Sequence, residues 1–542
     1  MRLIDLYPTR GAFAPGEPIE LAAEIETPAP ASAAIRLSVF HLASLIDERT
    51  IPVALGAGRQ RIALDWQPPP IAPRGYGADV ELIVADQASA TASTAFDVLN
   101  HWTQAPRYGF LCDFTPGRNN APETLDELAR FHINGVQFYD WQYRHDQPLS
   151  PSDEFTDPLG RRLSLATVRT LIESAHRRAV AAMPYTAVYA ASPEFHRAHP
   201  DWGLYHVDGR PLQFADGFLF YMNPTPDSRW SRRLLDQYTA LLRALDFDGI
   251  HIDQYGDPIA ARDAAGRVVQ LDRAFPAFVD SVVERIKPLH PHASVVFNCV
   301  GNWPVETVAR SRVDFMYIEV WKPHTQWRDL WRLITDAQRM SGKPVVLAAY
   351  IDPARELNVR LADAIIFASG GGHMELGERD GLLADPYFPK YGLLSDRLRA
   401  TLRAYYDFAV RYEDVLALAT RDVTDEWAER VTIDGVPIGL QHAHDAVWPI
   451  VREGAGFTAI SLINLAGLAG GDWTEALSGA PLALESIVVR LRADRPIQTA
   501  WFASPDGDSP RAQPVDLQKR GGEVVVEVPG LHWWALLVLK WE

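Results

Sequence analysis

Cysteine is scarce in this sequence, whose 542 residues include only Cys112 and Cys299. Two cysteines cannot build a disulfide framework, and both fall in segments that we predict to be buried strands, where a thiol acts as a small apolar group. The sixteen histidines show no HExxH spacing, and no CxxC pair is present. We therefore predict neither a metal site nor a bound cofactor.

Basic residues and long apolar runs are also few. The 52 basic residues are outnumbered by 69 acidic ones, which gives a formal net charge of −17. Such a chain repels phosphate backbones and anionic lipid, so we predict no nucleic-acid or membrane partner, whereas a neutral sugar is not repelled. The N-terminus lacks the apolar segment of a secretory signal. We expect a cytoplasmic protein, or a secreted one whose signal has been removed.

Three zones of the chain differ in pattern, in keeping with the two to four domains expected for this length. Residues 1–100 contain short β-patterned runs, such as Ile19–Ile25 and Ile35–Phe40, separated by Pro and Gly. Residues 423–542 look similar, with runs at Phe457–Leu465 and Val524–Val528. We predict an immunoglobulin-like β-sandwich at the N-terminus and a second β-sandwich at the C-terminus.

Residues 101–422 alternate between strand and helix patterns. We predict strands at Tyr108–Phe114, Gly135–Trp141, Ala179–Val188, Gly249–Gln254, Ser294–Val300, Asp314–Trp321, Pro344–Ile351 and Ala364–Ser369, with helices between them. Eight strands alternating with helices predict a central (β/α)8 barrel of the TIM type in a multidomain α/β protein. A doubly wound open sheet would place a G-x-G-x-x-G turn after its first strand, where this chain has Thr115–Arg118.

Two carboxylates stand near the C-terminal ends of predicted barrel strands, where active sites of such barrels form. In the fourth strand, the alternation of side chains directs Ile252 outward and Asp253 toward the barrel axis. In the sixth strand, it directs Ile318 outward and Glu319 inward. We therefore predict that both carboxylates face the barrel mouth.

A pair of inward acids beside aromatic residues fits glycoside cleavage. One acid protonates the leaving oxygen, and the other carboxylate faces the anomeric carbon. Glu319, between Tyr317 and Trp321, is the better candidate for a raised pKa and for the general acid/base, which leaves Asp253 as the nucleophile. The alternative is a structural ion pair or a hydrogen-bonded core acid, but burying two acids without a use is costly.

Further candidates for sugar contacts lie in these strands or in the loops after them. They are Asp113, Tyr139, Asp140, Trp141, His145, Asn223, His251, Gln254, Tyr255, Asn298, Tyr317, Trp321 and Glu375. For Trp141 we weigh a ring-stacking platform against core packing, and for Asp113 a sugar contact against a capping or loop role. Asn298 is expected to bond to the nucleophile or to a sugar.

Four motifs carry a resemblance to a known family. They are Arg107–Phe110, Gln137–Trp141 with Arg144–Asp146, Asp248–Gln254 and Tyr317–Trp321. The chain resembles glycoside hydrolase family 66, the dextranases and cycloisomaltooligosaccharide glucanotransferases. The resemblance implies that Asp253 is the nucleophile, that Glu319 is the acid/base, and that α-1,6-glucan is cleaved with retention.

Three functions follow from this interpretation. The first is endo-hydrolysis of dextran to isomaltooligosaccharides. The second is cyclising transglycosylation, but the cyclising members of the family carry a sugar-binding module inserted in the barrel region. No interval between the predicted strands has room for that module, and the longest, residues 189–248, must already hold a loop and a helix. The third is a non-catalytic sugar-binding barrel. The presence of both carboxylates argues against this function.

Overall fold

The N-terminal part of the chain forms two antiparallel sheets around one core. The structure, a computed structural model, describes residues 1–85, 87–256, 258–387, 389–439 and 445–542. The first strands are β1 (Arg2–Pro8), β2 (Ile19–Thr27), β3 (Ala31–His41), β4 (Ser44–Leu55), β5 (Gly58–Trp66), β6 (Arg74–Val84) and β7 (Gln87–Val98). They pair in the orders β1-β2-β5 and β4-β3-β6-β7. Side chains from both sheets, such as Leu21 and Leu37, share one hydrophobic cluster.

The middle of the chain contains the strands of a large sheet and several short hairpins. They are β8 (Tyr108–Leu111), β9 (Gly135–Phe138), β10 (Glu154–Thr156), β11 (Arg162–Ser164), β12 (Ala181–Ala187), β13 (Ala190–Ala191), β14 (Leu204–Tyr205), β15 (Gln213–Phe214), β16 (Leu219–Tyr221), β17 (Gly249–Asp253), β18 (Ala260–Asp263), β19 (Val268–Gln270), β20 (Ser294–Val300), β21 (Met316–Glu319), β22 (Val345–Ala348), β23 (Gly372–His373), β24 (Leu376–Gly377), β25 (Gly381–Asp385) and β26 (Lys390–Leu393). The parallel strands are apolar almost throughout because both of their faces are covered.

The helices of this region follow the strands in sequence. They are α1 (Ala121–Arg130), α2 (Leu165–His176), α3 (Pro193–Ala198), α4 (Arg229–Ala244), α5 (Leu271–Ile286), α6 (Val305–Val308), α7 (Trp327–Ser341), α8 (Glu356–Ala368) and α9 (Asp396–Arg411). Several begin at a serine whose hydroxyl accepts a backbone N–H of the first turn, as Ser164 does for α2 and Ser228 for α4. In the described part of the chain, no helix is long and apolar enough to cross a membrane.

The large sheet has eleven strands and is curled. Its order is β23-β22-β21-β20-β17-β12-β9-β8-β24-β25-β26, and the strands from β23 to β24 run parallel to one another. Tyr108 on β8, Met183 on β12 and Val346 on β22 belong to one cluster of buried side chains. Since β8 and β22 are far apart in the strand order, only a curled sheet can bring these side chains together.

The strand predicted at Ala364–Ser369 is wrong, because these residues form the end of α8 and its C-cap. Buried residues dominate α8 on all sides, and a short apolar run cannot distinguish a buried helix from a buried strand. The parallel strands that follow are β23 and β24, which are two residues long each. Gly372 begins β23, and a Cβ there would come within 2.7 Å of the Pro106 carbonyl oxygen. Close packing against the Pro106 backbone therefore explains the glycine at position 372.

The C-terminal part is again built from antiparallel sheets. Its elements are α10 (Glu413–Leu416), β27 (Arg421–Asp422), α11 (Thr424–Trp427), β28 (Val431–Ile433), β29 (Val447–Gly454), β30 (Phe457–Asn464), β31 (Ile487–Leu491), β32 (Ile497–Ala503), β33 (Gln513–Val515), β34 (Gln518–Arg520), β35 (Glu523–Val528) and β36 (Trp534–Trp541). The strands pair in the orders β27-β29-β30-β36-β32-β33 and β28-β31-β35-β34. Leu462 and Val526, one from each sheet, share a second buried cluster.

Candidate active site

Asp253 and Glu319 come together at the ends of two parallel strands. Asp253 is the last residue of β17 and Glu319 the last of β21, and β20 lies between these strands. From β20, the Asn298 side-chain nitrogen donates to Asp253 Oδ1 at 2.8 Å and to Glu319 Oε2 at 2.7 Å. The second oxygen of each carboxylate accepts a hydrogen bond from a tyrosine hydroxyl. Tyr185 donates to Asp253 Oδ2 at 2.8 Å, and Tyr350 donates to Glu319 Oε1 at 3.0 Å.

The two carboxylates lie in a cavity of about 950 Å³. Aromatic side chains supply much of its wall. The Trp321 ring, 36% exposed, lies 6.0 Å from the ring of Tyr350 and 6.2 Å from that of Tyr387. The ring of Phe214 stacks on Tyr255 at 4.6 Å. The cavity thus combines a pair of acids with flat apolar surfaces, which is a combination suited to a sugar chain.

Burial raises the pKa of both carboxyl groups. The pKa of Asp253 rises to about 7, first because the group is buried and second because the Glu319 carboxylate is close. The pKa of Glu319 is also raised, chiefly by burial, although the hydrogen bonds from Asn298 and Tyr350 oppose the shift. We expected a raised pKa for Glu319, and the pKa of Asp253 is raised as well. The pair retains a proton near neutrality and titrates as a unit.

A sequence model of glycosyl hydrolase family 66 matches residues 9–538. The chain belongs to this family. The resemblance predicted from the four motifs is thereby confirmed. A match across nearly the whole chain makes this protein a glycoside-processing enzyme, in agreement with the paired acids and aromatic walls of the cavity.

Relatives of this family 66 chain include both transferases and hydrolases. A cycloisomaltooligosaccharide glucanotransferase from Niallia circulans is 23% identical, over 99% of this chain and 71% of its own length. A dextranase from Streptococcus salivarius is 22% identical, over 93% of this chain and 72% of its own. The crystal structure of a Paenibacillus sp. cycloisomaltooligosaccharide glucanotransferase, complexed with cycloisomaltoheptaose, matches with a TM-score of 0.91 at 21% identity and covers 99% of each chain. That likeness establishes a common fold.

The structure brings most of the predicted site residues of the family 66 chain to one cavity. Those that line it are Tyr139, Asp140, His145, Asp253, Gln254, Tyr255, Asn298, Tyr317, Glu319 and Trp321. Asp140 and His145 are both half-buried there, and desolvation raises the pKa of Asp140 to about 6 and lowers that of His145 to about 4. His145 is therefore a neutral imidazole at pH 7.

Two of the remaining candidates are buried away from the cavity. Trp141 is fully buried and donates its indole N–H to the Tyr185 carbonyl oxygen, so its position is that of a core residue. His251 lies two residues before Asp253 on β17, with Nδ1 3.2 Å from the Tyr108 hydroxyl, and burial lowers its pKa to about 3. Neither side chain is among those that line the cavity.

Three further candidates also lie outside the cavity. Asp113 accepts hydrogen bonds from Thr115 and Arg379 in the loop after β8. Asn223 accepts the backbone N–H of Thr225 ahead of α4. Glu375 is fully buried between β23 and β24. The side-chain oxygens of Asp113 and Asn223 therefore already have partners within the protein.

Sequence reasoning missed several residues of the cavity. Tyr185 on β12 pairs in register with His251, and the same inward parity that selected Asp253 could have found it. Tyr350 lies two residues beyond the end of β22 but within the predicted strand Pro344–Ile351, and it has the same parity as the inward Ala348, so alternation could have found it as well. Phe214 and Phe218 come from the long segment between β12 and β17, and no local pattern shows that this segment folds over the cavity.

The double hydrogen bond from Asn298 predicts a shift of the pH profile. Its donor nitrogen lowers the pKa of both Asp253 and Glu319, so Asn298→Ala should raise both values. Both limbs of the kcat/KM profile should then move to higher pH, because these limbs report the free enzyme's acid and base. The maximum should fall about 10- to 100-fold, as expected for hydrogen bonds to charged groups. Steady-state rates from pH 4 to 9 measure both effects.

The matched control for this test is Asn223→Ala, because Asn223 lies outside the cavity. Its pH profile should coincide with that of the unmodified chain. An Asn298→Ala profile that is merely scaled down, with both limbs in place, would contradict the assigned role of Asn298.

Proposed function

We propose that this family 66 chain is a retaining endo-dextranase, which hydrolyses internal α-1,6 linkages of dextran to isomaltooligosaccharides. Glu319 is the general acid/base and Asp253 the nucleophile. The choice of dextran rests on the relatives that are named dextranase and cycloisomaltooligosaccharide glucanotransferase. The aromatic walls of the cavity support a sugar ligand in general, because flat rings suit the apolar C–H faces of pyranose units.

The spacing of the two carboxylates is the observation that carries the retaining mechanism. Asp253 Oδ1 and Glu319 Oε2 lie 2.8 and 2.7 Å from one nitrogen of Asn298, so these oxygens are no more than 5.5 Å apart. Retaining enzymes hold their carboxyl groups roughly 5–5.5 Å apart, whereas inverting enzymes need about 6.5–9.5 Å to admit a water molecule. This spacing favours direct attack by a carboxylate.

The proposed reaction has two displacements. In the first, protonated Glu319 gives its proton to the leaving O6 while the Asp253 carboxylate attacks the anomeric carbon. In the second, the Glu319 carboxylate takes a proton from water, which attacks the same carbon and releases Asp253. The raised pKa values of both carboxyl groups help the pair to keep one proton near neutral pH, which the proposed first displacement uses from Glu319.

The proposed architecture is a (β/α)8 barrel at residues 101–422 between sandwich domains at residues 1–100 and 423–542. Two pairings support closure of the barrel. β23 pairs in parallel with β22, and β24 pairs in parallel with β8 at the other side of the array. Because only two residues separate β23 from β24 in the chain, together they act as an eighth strand. Asp253 and Glu319 then lie at the C-terminal mouth.

Cyclising transglycosylation is the second candidate, favoured by the relatives named glucanotransferase. In that reaction a hydroxyl of the same glucan, rather than water, attacks the intermediate. The two activities share the first displacement, so only their products distinguish them.

The experiment is a time course with dextran, starch and pullulan. Dextran should be cut internally to a ladder of linear isomaltooligosaccharides with new reducing ends, while starch and pullulan stay largely intact. Proton NMR of the early products should show α-anomers first and β-anomers only after mutarotation. Chromatography of the products checks the ladder, and Asp253→Ala protein serves as the blank.

Other product patterns would overturn parts of this proposal. Cyclic products without new reducing ends would indicate the transferase. Glucose or isomaltose as the sole early product would indicate an exo-enzyme. Cleavage of α-1,4 bonds alone would exclude dextran as the substrate, and β-anomers appearing first would make Asp253 a base rather than a nucleophile.

A further inference from the structure

A buried cluster of potential metal ligands lies outside the catalytic cavity. Asp363 comes from α8, His373 from β23, and Glu375 from the turn between β23 and β24. The three residues are 0%, 2% and 0% exposed. None of them lines the cavity that holds Asp253 and Glu319. The glycoside reaction therefore leaves their presence unexplained.

The donor atoms of this cluster are spaced as ligands of one ion would be. His373 Nδ1 lies 2.8 Å from Asp363 Oδ1 and 3.2 Å from Glu375 Oε2. One donor atom from each residue can be chosen so that all lie within 4.8 Å of one another. Ligands at roughly 2.0–2.2 Å from a metal stand about 3 Å apart when they occupy adjacent positions. Small movements of the side chains would suffice to admit an ion.

The orientation of the imidazole supports a metal ligand. His373 Nε2 lies 2.9 Å from the Ala349 carbonyl oxygen, which can only accept, so Nε2 carries a hydrogen. Nδ1 is thereby directed at the two carboxylates. Histidines that bind metals usually donate their other ring N–H to a carbonyl or carboxylate in this way. Glu375 is oriented as well, because the Tyr406 hydroxyl donates to its Oε1 at 3.1 Å.

Two carboxylate oxygens of the cluster are buried and accept no hydrogen bond from the described residues, although one of them is the Glu375 Oε2 that lies 3.2 Å from His373 Nδ1. They are Asp363 Oδ2 and Glu375 Oε2. A buried, unsatisfied carboxylate oxygen is costly. A divalent cation would satisfy both oxygens, and its two positive charges would balance the two carboxylates beside a neutral imidazole.

We propose that Asp363, His373 and Glu375 bind a divalent transition-metal ion, such as Zn²⁺ or Mn²⁺. One imidazole and two carboxylates form a ligand set that suits these ions. The ion would cross-link α8 to the segment that joins β23 to β24. Its role is structural, since the ligands do not touch the catalytic cavity. This inference replaces the sequence-based expectation that the chain holds no metal.

The test measures metal content in the full-length protein. The chain is refolded with equimolar Zn²⁺ or Mn²⁺, freed of loose ions by gel filtration, and analysed by inductively coupled plasma mass spectrometry. About one ion per chain is expected, together with a melting temperature several degrees above that of protein refolded with a chelator. Mg²⁺ should not reproduce the rise, because it prefers an oxygen-only, largely hydrated coordination shell.

Three variants assign the ion to this cluster. Asp363→Asn and Glu375→Gln keep the side-chain shapes, and each should reduce bound metal to below about 0.1 ion per chain. The matched control is His132→Gln, because His132 is also buried and lies 2.7 Å from a single carboxylate, that of Asp407. It should keep its metal even if it melts earlier.

Two results would contradict the proposed metal site. No stoichiometric metal in the refolded wild-type chain would show that protons, not an ion, neutralise the carboxylates. This measurement needs no variant, so it stands even where a variant fails to fold. Metal retained by Asp363→Asn and by Glu375→Gln would place the ion elsewhere.

Discussion

Replacing Asp253 with glycine should reduce turnover of dextran by a factor on the order of 10⁴ or more, because the carboxylate that forms the proposed covalent intermediate is lost. The fold should persist. Tyr185 and Asn298 each lose an acceptor, but the repulsion between Asp253 and Glu319 is removed at the same time. Initial rates on dextran, with a circular-dichroism melt of the same sample, measure both quantities.

Azide makes the Asp253→Gly experiment diagnostic of the role of this residue. Azide can occupy the space vacated by the carboxylate and attack the anomeric carbon while Glu319 protonates the leaving group. One inversion then yields a β-glycosyl azide from an α-glucoside. Asp113→Asn is the control, because Asp113 lies outside the cavity, and its rate should stay within a few fold. Near-full activity of Asp253→Gly, or an α-azide, would remove Asp253 from the nucleophilic role.

The positions of these two acids could be predicted because strand alternation is local. A residue's neighbours along β17 and β21 are sufficient to determine which side chains face inward. That rule fails where the strand ends. β9 stops at Phe138, and Asp140 has a φ of 47°, a left-handed conformation that breaks the alternation. Trp141 therefore lies in the core, although its place in the sequence suggested the cavity mouth.

The walls of the cavity could not be predicted from local pattern. Phe214 and Tyr387 are far apart in sequence, and their positions depend on how two long segments fold over the strand ends. The two short strands β23 and β24 are a similar case. Only the pairing of β23 with β22 and of β24 with β8 identifies these two-residue strands, since α8 offers a longer apolar run just before them.

Replacing Glu319 with glutamine should slow dextran hydrolysis by about 10²–10⁴, because the leaving O6 loses its proton donor. The effect should be much smaller for formation of the intermediate from an α-glucoside with a good leaving group, which departs without protonation. The intermediate should then accumulate, since no base activates water. A burst of leaving group followed by a slow steady rate, seen by stopped-flow absorbance, checks this expectation.

The pH dependence should change in a defined direction. In the unmodified chain, kcat/KM should fall as the pH rises through the raised pKa of the pair, because the proton needed by the leaving group is lost. Glu319→Gln cannot lose that proton, so this alkaline limb should disappear. Tyr350→Phe is the matched control: it keeps the Glu319 carboxyl group but removes a hydrogen bond that lowers its pKa. In that variant the limb should remain and move to higher pH.

Azide should rescue Glu319→Gln, because an anion attacks the glycosyl-Asp253 ester without help from a base. Two inversions restore the starting configuration, so the product should be an α-glycosyl azide, opposite in configuration to the product from Asp253→Gly. Proton NMR of the isolated azides distinguishes them by their anomeric couplings. The same anomer from both variants would mean that the two carboxylates do not divide the roles of nucleophile and acid/base as assigned. An unrescued Glu319→Gln enzyme without a burst would mean that no covalent intermediate forms on Asp253.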